Sequence, residues 1–335
     1  MGQTVVFKVS LDADDVAIDE FEPRPPRPPR HDLRDAGLAA LRDRHWQLAA
    51  LLCLVVPAAV AAVTFAVTRG AWVGTALLVA AAVMTPTCAA WAGAARAQGE
   101  RRLRAARWAV TGASGALLAL ASVPGVALAA AREGWAESQA VPTLAVLALS
   151  GAAGAWLGLA LANRQPAWPR IAAAALTLAM VFVPFAVATA LLPETVVTEQ
   201  ITYHSFVATS VGGRPAFICR DETIDATRRH TEDVAWIAMT SPVAWVVDAA
   251  SFSPSALAGA PDGSLAQAQA WTRSTRVGPD GFVGYCYQAT SLGTPTAVTA
   301  ERYEKAGPIG ARLATAAAAL CGAIALFAVS RRKSA

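Results

Sequence analysis

Residues 234–257 read VAWIAMTSPVAWVVDAASFSPSAL, and the placement of this stretch decides how often the chain crosses a membrane. It is long and apolar enough for a span, yet it contains Pro242, Asp248 and Pro254. A carboxylate at the centre of a membrane helix costs at least ~2.5–3.5 kcal/mol. Parity adds a second argument. A crossing between Cys219 and Cys286 would place them in opposite compartments and would export Arg331, Arg332 and Lys333. The stretch is therefore expected not to cross, but to form a helix, a break and a second helix. Two placements stay open. One is the outer interface, with Trp236, Trp245 and Pro242 at headgroup level. The other is the hydrophobic core of an outer domain.

On either side of this stretch lie six segments that do qualify as spans: 46–68, 71–95, 108–131, 140–162, 171–192 and 313–329. Each approaches the ~20 apolar residues needed to cross ~30 Å of hydrocarbon. None contains an Asp, Glu, Lys or Arg. Hydrophobic residues make up 55% of the 335 and charged residues 16%, below the ~25% usual in soluble domains. The mean hydropathy is +0.41. About 45 mostly polar residues precede the first apolar block, which reads as an uncleaved signal-anchor. The expected fold is an α-helical polytopic membrane protein: six transmembrane helices with a small α+β extracellular domain between helices 5 and 6.

Orientation follows from arginine placement. Arg24, Arg27, Arg30, Arg34, Arg42 and Arg44 precede the first span. Arg96, Arg101, Arg102, Arg104 and Arg107 cluster around the connection between the second and third, and Arg164 and Arg170 follow the fourth. With Arg331–Lys333 they fall on one side, placing both termini in the cytoplasm of a multi-pass plasma-membrane protein. The expected divisions are as follows: 1–31, a cytoplasmic segment with a Pro-rich linker; 32–45, an amphipathic surface helix; 46–192, five spans; 193–308, an extracellular disulfide-closed domain; 309–330, the sixth span; and 331–335, a cytoplasmic tail. Cys219 and Cys286 are the two cysteines of the outer segment, on the oxidising side, and their pairing would stabilise it by roughly 4 kcal/mol.

The polar pieces have their own patterns. PRPPRPP at 23–29 favours an extended polyproline tether. Asp32 is positioned to cap a short helix running through Trp46, with Leu33, Leu38, Leu41 and Leu48 among charged neighbours. Alternation at Val197, Glu199, Ile201 and Tyr203, then Gly212-Gly213 and 216–219, reads as a β-hairpin. The charged run 220–233 reads as a solvated face. His204, His230, Asp221, Glu222 and Asp225 lack metal-ligand spacing, so no metal or catalytic site is expected from them.

No Walker-type loop, no G-x-G-x-x-G after a strand, no H-E-x-x-H and no G-x-S-x-G is present. The chain is expected to be neither an enzyme nor a cofactor binder, and to have no nucleic-acid partner. Spans without ionisable groups disfavour ion-coupled carriage. Gly70-x-x-x-Gly74, Gly112-x-x-Gly115, Gly151 and Gly154-x-x-x-Gly158 allow close helix approach. Residues 84–87 (MTPT) and Pro184 interrupt the second and fifth helical ladders and are candidate lining or hinge positions.

The surface helix, the six spans with both ends inside and the basic loop between the second and third spans resemble the permease subunit of an ABC-2-type exporter. The order Thr231-Glu232-Asp233-Val234-Ala235-Trp236, Ser241-Pro242, Val247-Asp248-Ala249-Ala250 is similar to actinobacterial permeases with an enlarged extracellular segment between the last two spans. Those carry Asn where Ser241 stands. The resemblance implies a separate ATPase subunit docking on the surface helix (Leu38, Leu41) and on Arg96, Arg101, Arg102, Arg104 and Arg107. It further implies a homodimer or heterodimer of permease units, contact with membrane lipid, and export of a hydrophobic or lipid-like substrate. The alternative is a six-span anchor that presents an extracellular binding or sensing domain without transport.

Overall fold

A computed structural model describes residues 38–39, 41–69, 72–96, 104–133, 137–162, 168–211, 214–250, 265–278, 282–284 and 308–331. Among them, six helical segments are long and apolar enough to cross a membrane: Arg44–Thr68, Val73–Ala95, Ala106–Ala131, Ala140–Ala162, Pro169–Thr195 and Gly310–Ser330. Their ends lie within three residues of the expected ones. The helices are α1 (Arg44–Thr68), α2 (Val73–Arg96), α3 (Arg104–Leu117), α4 (Val123–Glu133), α5 (Glu137–Ala162) and α6 (Pro169–Leu191). After a sheet come α7 (Glu232–Ala238), α8 (Pro242–Ala249), α9 (Leu265–Val277) and α10 (Gly310–Arg331).

The third apolar segment is a composite, and its chemistry shows why. Pro124 lacks the N–H that would reach the Leu120 carbonyl four residues back. The Val123 N–H takes that carbonyl instead, and Leu118–Ser122 tightens into a 3-10 turn between α3 and α4.

Helices α2 and α5 form the centre. Their apolar segments are 72% and 61% buried, against 17% for α1, 22% for α6 and 28% for α10. Helices that meet in lipid would have no hydrophobic gain to drive packing, and close van der Waals contact would have to do it. Alanine and glycine supply that contact. Gly154 and Gly158 of α5 lie so near α2 that a methyl at either would strike the Pro86 or Ala90 carbonyl. Indole N–H groups then tie the outer helices in: Trp46 donates to the Ser114 carbonyl (3.0 Å), Trp108 to Gly322 (2.8 Å) and Trp156 to Trp108 (3.0 Å). The Trp108 and Trp156 rings stack with centroids 5.0 Å apart.

The expected hairpin is present and longer than its alternating core. Strands β1 (Val196–Val211) and β2 (Arg214–Arg229) pair antiparallel, from Val211 opposite Arg214 to Val196 opposite Arg229. The charged run after Cys219 thus continues β2. At ~3.4 Å per residue the ribbon is about 50 Å long. Strand β3 (Phe282–Gly284) adds parallel to Thr202–His204, giving the order β2-β1-β3.

Two expectations change. The helix expected to run through Trp46 is interrupted at Asp43, which caps the first long helix: its carboxylate accepts from the His45 N–H, and Asp43 itself is extended. Asp32 lies outside the described residues. The second change concerns 234–257. Helix, break and helix are there as α7 and α8, but α8 sits on neither a surface nor a separate domain. It is wedged among α2, α5, α6 and α10, buried from Pro242 to Ala249. Its Val246 and Trp245 share one core with Leu78, Ala82, Val146, Leu147, Val181 and Ala314. The reason is that an almost wholly apolar helix of eight residues hides its surface best inside existing helical packing. Val181 lies ten residues before the end of α6, so the α7–α8 turn reaches ~15 Å down that helix.

The α2–α5 contact gives a direct test. Gly158→Leu should lower the detergent-solubilised melting temperature by an amount corresponding to at least ~1–3 kcal/mol of overpacking. Gly125→Ala, where the added methyl meets Leu77 at ordinary distance, should be close to neutral in the same melt.

Candidate functional site

The densest polar constellation lies where the α7–α8 hairpin meets the start of α10. Helix α8 begins with Ser241, whose hydroxyl oxygen accepts from the Val243 N–H (3.3 Å) and whose O–H donates to the Val181 carbonyl (2.9 Å). Pro242 follows at the first helical position, where its missing N–H costs nothing. One turn on, the Trp245 indole N–H donates back to the Met239 carbonyl at 2.6 Å and closes the hairpin. Pro242 and Trp245 are therefore core elements rather than interfacial ones. Trp236, on α7, is 66% exposed.

Asp248 ends α8 with no exposed surface. A bare carboxylate there would be untenable, and this one is fully engaged. Its Oδ2 accepts from the backbone N–H groups of Ile309 (2.6 Å) and Gly310 (2.8 Å), where α10 starts with unsatisfied donors and a partial positive charge. Its Oδ1 faces Arg276 Nη2 at 3.0 Å and Arg273 Nε at 3.9 Å. Gln269, also fully buried, donates from Nε2 to the Asp248 carbonyl (3.3 Å) and to the Ala250 carbonyl. Gln269, Arg273 and Arg276 stand at i, i+4 and i+7 on α9, which puts them on one face. Burial pushes the Arg273 guanidinium below its ordinary pKa, and Asp248 works against that.

This arrangement is a clasp of three elements around one anion. Sequence reasoning placed Asp248 in a family-like run but gave it no role, and it passed over all three α9 residues. Their spacing along one face of the helix was the available signal.

A second cluster sits at the base of the ribbon. His230 Nδ1 lies 2.8 Å from Glu232 Oε1, and its Nε2 lies 3.4 Å from Glu199 Oε2. Arg228 faces Glu199 at 3.7 Å. The His230 backbone N–H is held by the Thr195 carbonyl (2.8 Å). The hydrogen bond to Glu232 raises the His230 pKa above its ordinary value, and Glu199 and Asp233 add to the effect. Among the described residues no group of three metal-binding side chains converges.

At the far end of the bundle, Arg170 Nη1 lies 3.0 Å from His45 Nε2. A guanidinium only donates, so Nε2 accepts, and the Nδ1–H points to Asp43 Oδ1 at 3.1 Å. Near this end are the candidate docking residues. Leu38 is exposed and Leu41 half-buried on the helical residues before α1, and Arg107 is half-buried on α3. Arg96 ends α2 and Arg104 begins α3. Arg101, Arg102 and Cys286 lie outside the described residues, and with Cys286 the expected Cys219–Cys286 pairing. Cys53, Cys88 and Cys321 are free thiols.

Asp248→Asn removes the negative charge that the buried Arg273 and the half-buried Arg276 face, and should destabilise the protein by about 3–5 kcal/mol, read as loss of detergent-resistant helicity on heating. The His230 cluster predicts a pH effect with a definite sign. Because the folded pKa is raised, its stabilisation is present below the ordinary value near ~6.5 and fades as pH rises through the folded value. Melting temperature should fall on going from about pH 6 to pH 8, and His230→Gln should flatten that slope.

Comparison of the whole chain with known proteins finds no matching family model, no matching curated sequence and no matching solved structure.

Proposed function

We infer that the chain is the membrane-spanning permease subunit of an ABC-type exporter, moving a hydrophobic or lipid-like substrate with ATP hydrolysed by a separate subunit. The observation that carries this is the burial of α8 in the helix bundle. A passive anchor needs only a tether between its spans and a self-contained outer domain. Here the segment between the fifth and sixth apolar helices packs against α2, α5, α6 and α10 and caps α10 through Asp248. Any rearrangement of the bundle is thereby passed to the outer segment, as export requires. Apolar helices whose charged residues are confined to their ends are consistent with an apolar pathway.

In this reading both termini are cytoplasmic, the ribbon and α9 are extracellular, and α7–α8 dips into the outer half of the bilayer. Irregular backbone at that depth needs protein partners: Met239 and Ser241 are buried, Ser241 is bonded to α6, and the exposed Thr240 turns its hydroxyl to the Ile237 carbonyl. The ATPase docks on Leu38, Leu41 and the Arg96–Arg107 loop, and two permease units form the transporter. The anchor alternative retains one supporting feature, the long ribbon, which is the kind of element an anchor would display.

Charge reversal at Arg101, Arg102 and Arg104 should reduce co-purification with an ATPase encoded beside this gene at least tenfold, with membrane insertion unchanged. Undiminished co-purification would count against docking at this loop. A soluble fragment of residues 194–306 should stay unfolded by circular dichroism, because α8 loses its partners. A folded, ligand-binding fragment would favour the anchor.

A further inference from the structure

A cavity of about 360 Å³ opens between the α7–α8 hairpin, α9 and the ends of α2 and α6. No charged residue lines it. Five threonines do: Thr75, Thr189, Thr231, Thr272 and Thr275. At first sight they make a polar recognition site, but their bonding says otherwise. Thr189 donates to the Phe185 carbonyl (2.7 Å), Thr272 to Ala268 (2.9 Å), Thr275 to Thr272 (3.0 Å) and Thr231 to Thr275 (3.0 Å). Four of the five hydroxyl protons are thus spent on backbone carbonyls. The remaining wall is valine, alanine, leucine and phenylalanine.

A space lined this way offers no charged group to a carboxylate or phosphate, and apolar cavities of far smaller size already accept hydrocarbon in place of water. Its size is at the lower end for ligand pockets. Phe185 joins it to the exposed apolar face of α6, on which Leu178 and Phe182, seven and three residues back, also lie uncovered. In a bilayer that face meets lipid tails, so the mouth of the cavity opens where tails are the solvent.

We propose that this cavity is a binding site for one acyl chain of a membrane phospholipid, held between the α7–α8 hairpin and α6. The proposal rests on the membrane placement argued above but not on ATP-driven export. Loss of ATPase co-purification leaves it standing, and failure of lipid labelling leaves the docking model standing.

The test uses the full-length protein in phosphatidylcholine–phosphatidylglycerol vesicles containing a trace phospholipid with a diazirine near one acyl-chain end. After illumination, adducts are mapped by peptide mass spectrometry. The cavity peptides of α7, α8 and α9 should be labelled at least fivefold more than the lipid-exposed Val63 and Val67 of α1. Ala244→Trp, which fills the cavity, should remove that excess and leave α1 labelling unchanged. Should that variant fail to fold, decane added to wild-type vesicles provides the same test, lowering cavity labelling selectively. Thr272→Val, which keeps the shape and removes the hydroxyl, should label like wild type. Cavity labelling equal to that of α1, or insensitivity to decane, would overturn the proposal. Loss of labelling in Thr272→Val would also overturn it, since a polar group would then be the recognised feature.

Discussion

One carboxylate organises the end of the molecule on which everything distinctive depends. Asp248 closes α8, neutralises arginines from α9 and supplies the acceptors that the first turn of α10 needs. Removing a charge from water this completely is unfavourable unless every lone pair finds a donor. The consequence is specificity of assembly: α8 cannot settle at this depth unless α9 and α10 arrive with it. The same interaction explains how a segment with a charged residue came to be buried among helices whose apolar middles carry none.

The rest of the bundle obeys a different rule. Its central helices meet through glycine and alanine, and its edges are drawn in by indole N–H groups that donate to carbonyls of neighbouring helices. Both devices suit a medium in which apolar side chains gain nothing by meeting one another. The small-residue pattern around Gly154 and Gly158 is used as the spacing implied. Pro124 was not singled out, yet it sets the 3-10 turn that divides the third apolar segment.

How much of this was legible varies with the range of the interaction. Helix positions depend on local composition, and all six apolar segments could be placed to within a turn. The hairpin's two strands were readable from alternation near Val197–Tyr203, but not the continuation of β2 through charged residues 220–229, where ladder hydrogen bonds rather than burial hold the strand. Parity excluded a seventh crossing by 234–257 without revealing the depth of the fold-back. That depth depends on pairings such as Ser241 with Val181 and Asp248 with Gly310, sixty or more residues apart. The α9 stripe of Gln269, Arg273 and Arg276 was visible as a spacing, but it had no meaning without its distant partner.

The bond between Ser241 and the Val181 carbonyl has a mechanical side. Three residues beyond Val181, Pro184 stands inside the continuous α6, and the Met180 carbonyl loses the donor that any other residue there would provide. A helix weakened at that point bends easily, and the hairpin tip is fastened beside the weak place. The α7–α8 element therefore acts as a splint on the fifth apolar helix. The cost of the missing Met180 bond is thus met one residue along, where α8 is anchored to the same stretch of α6.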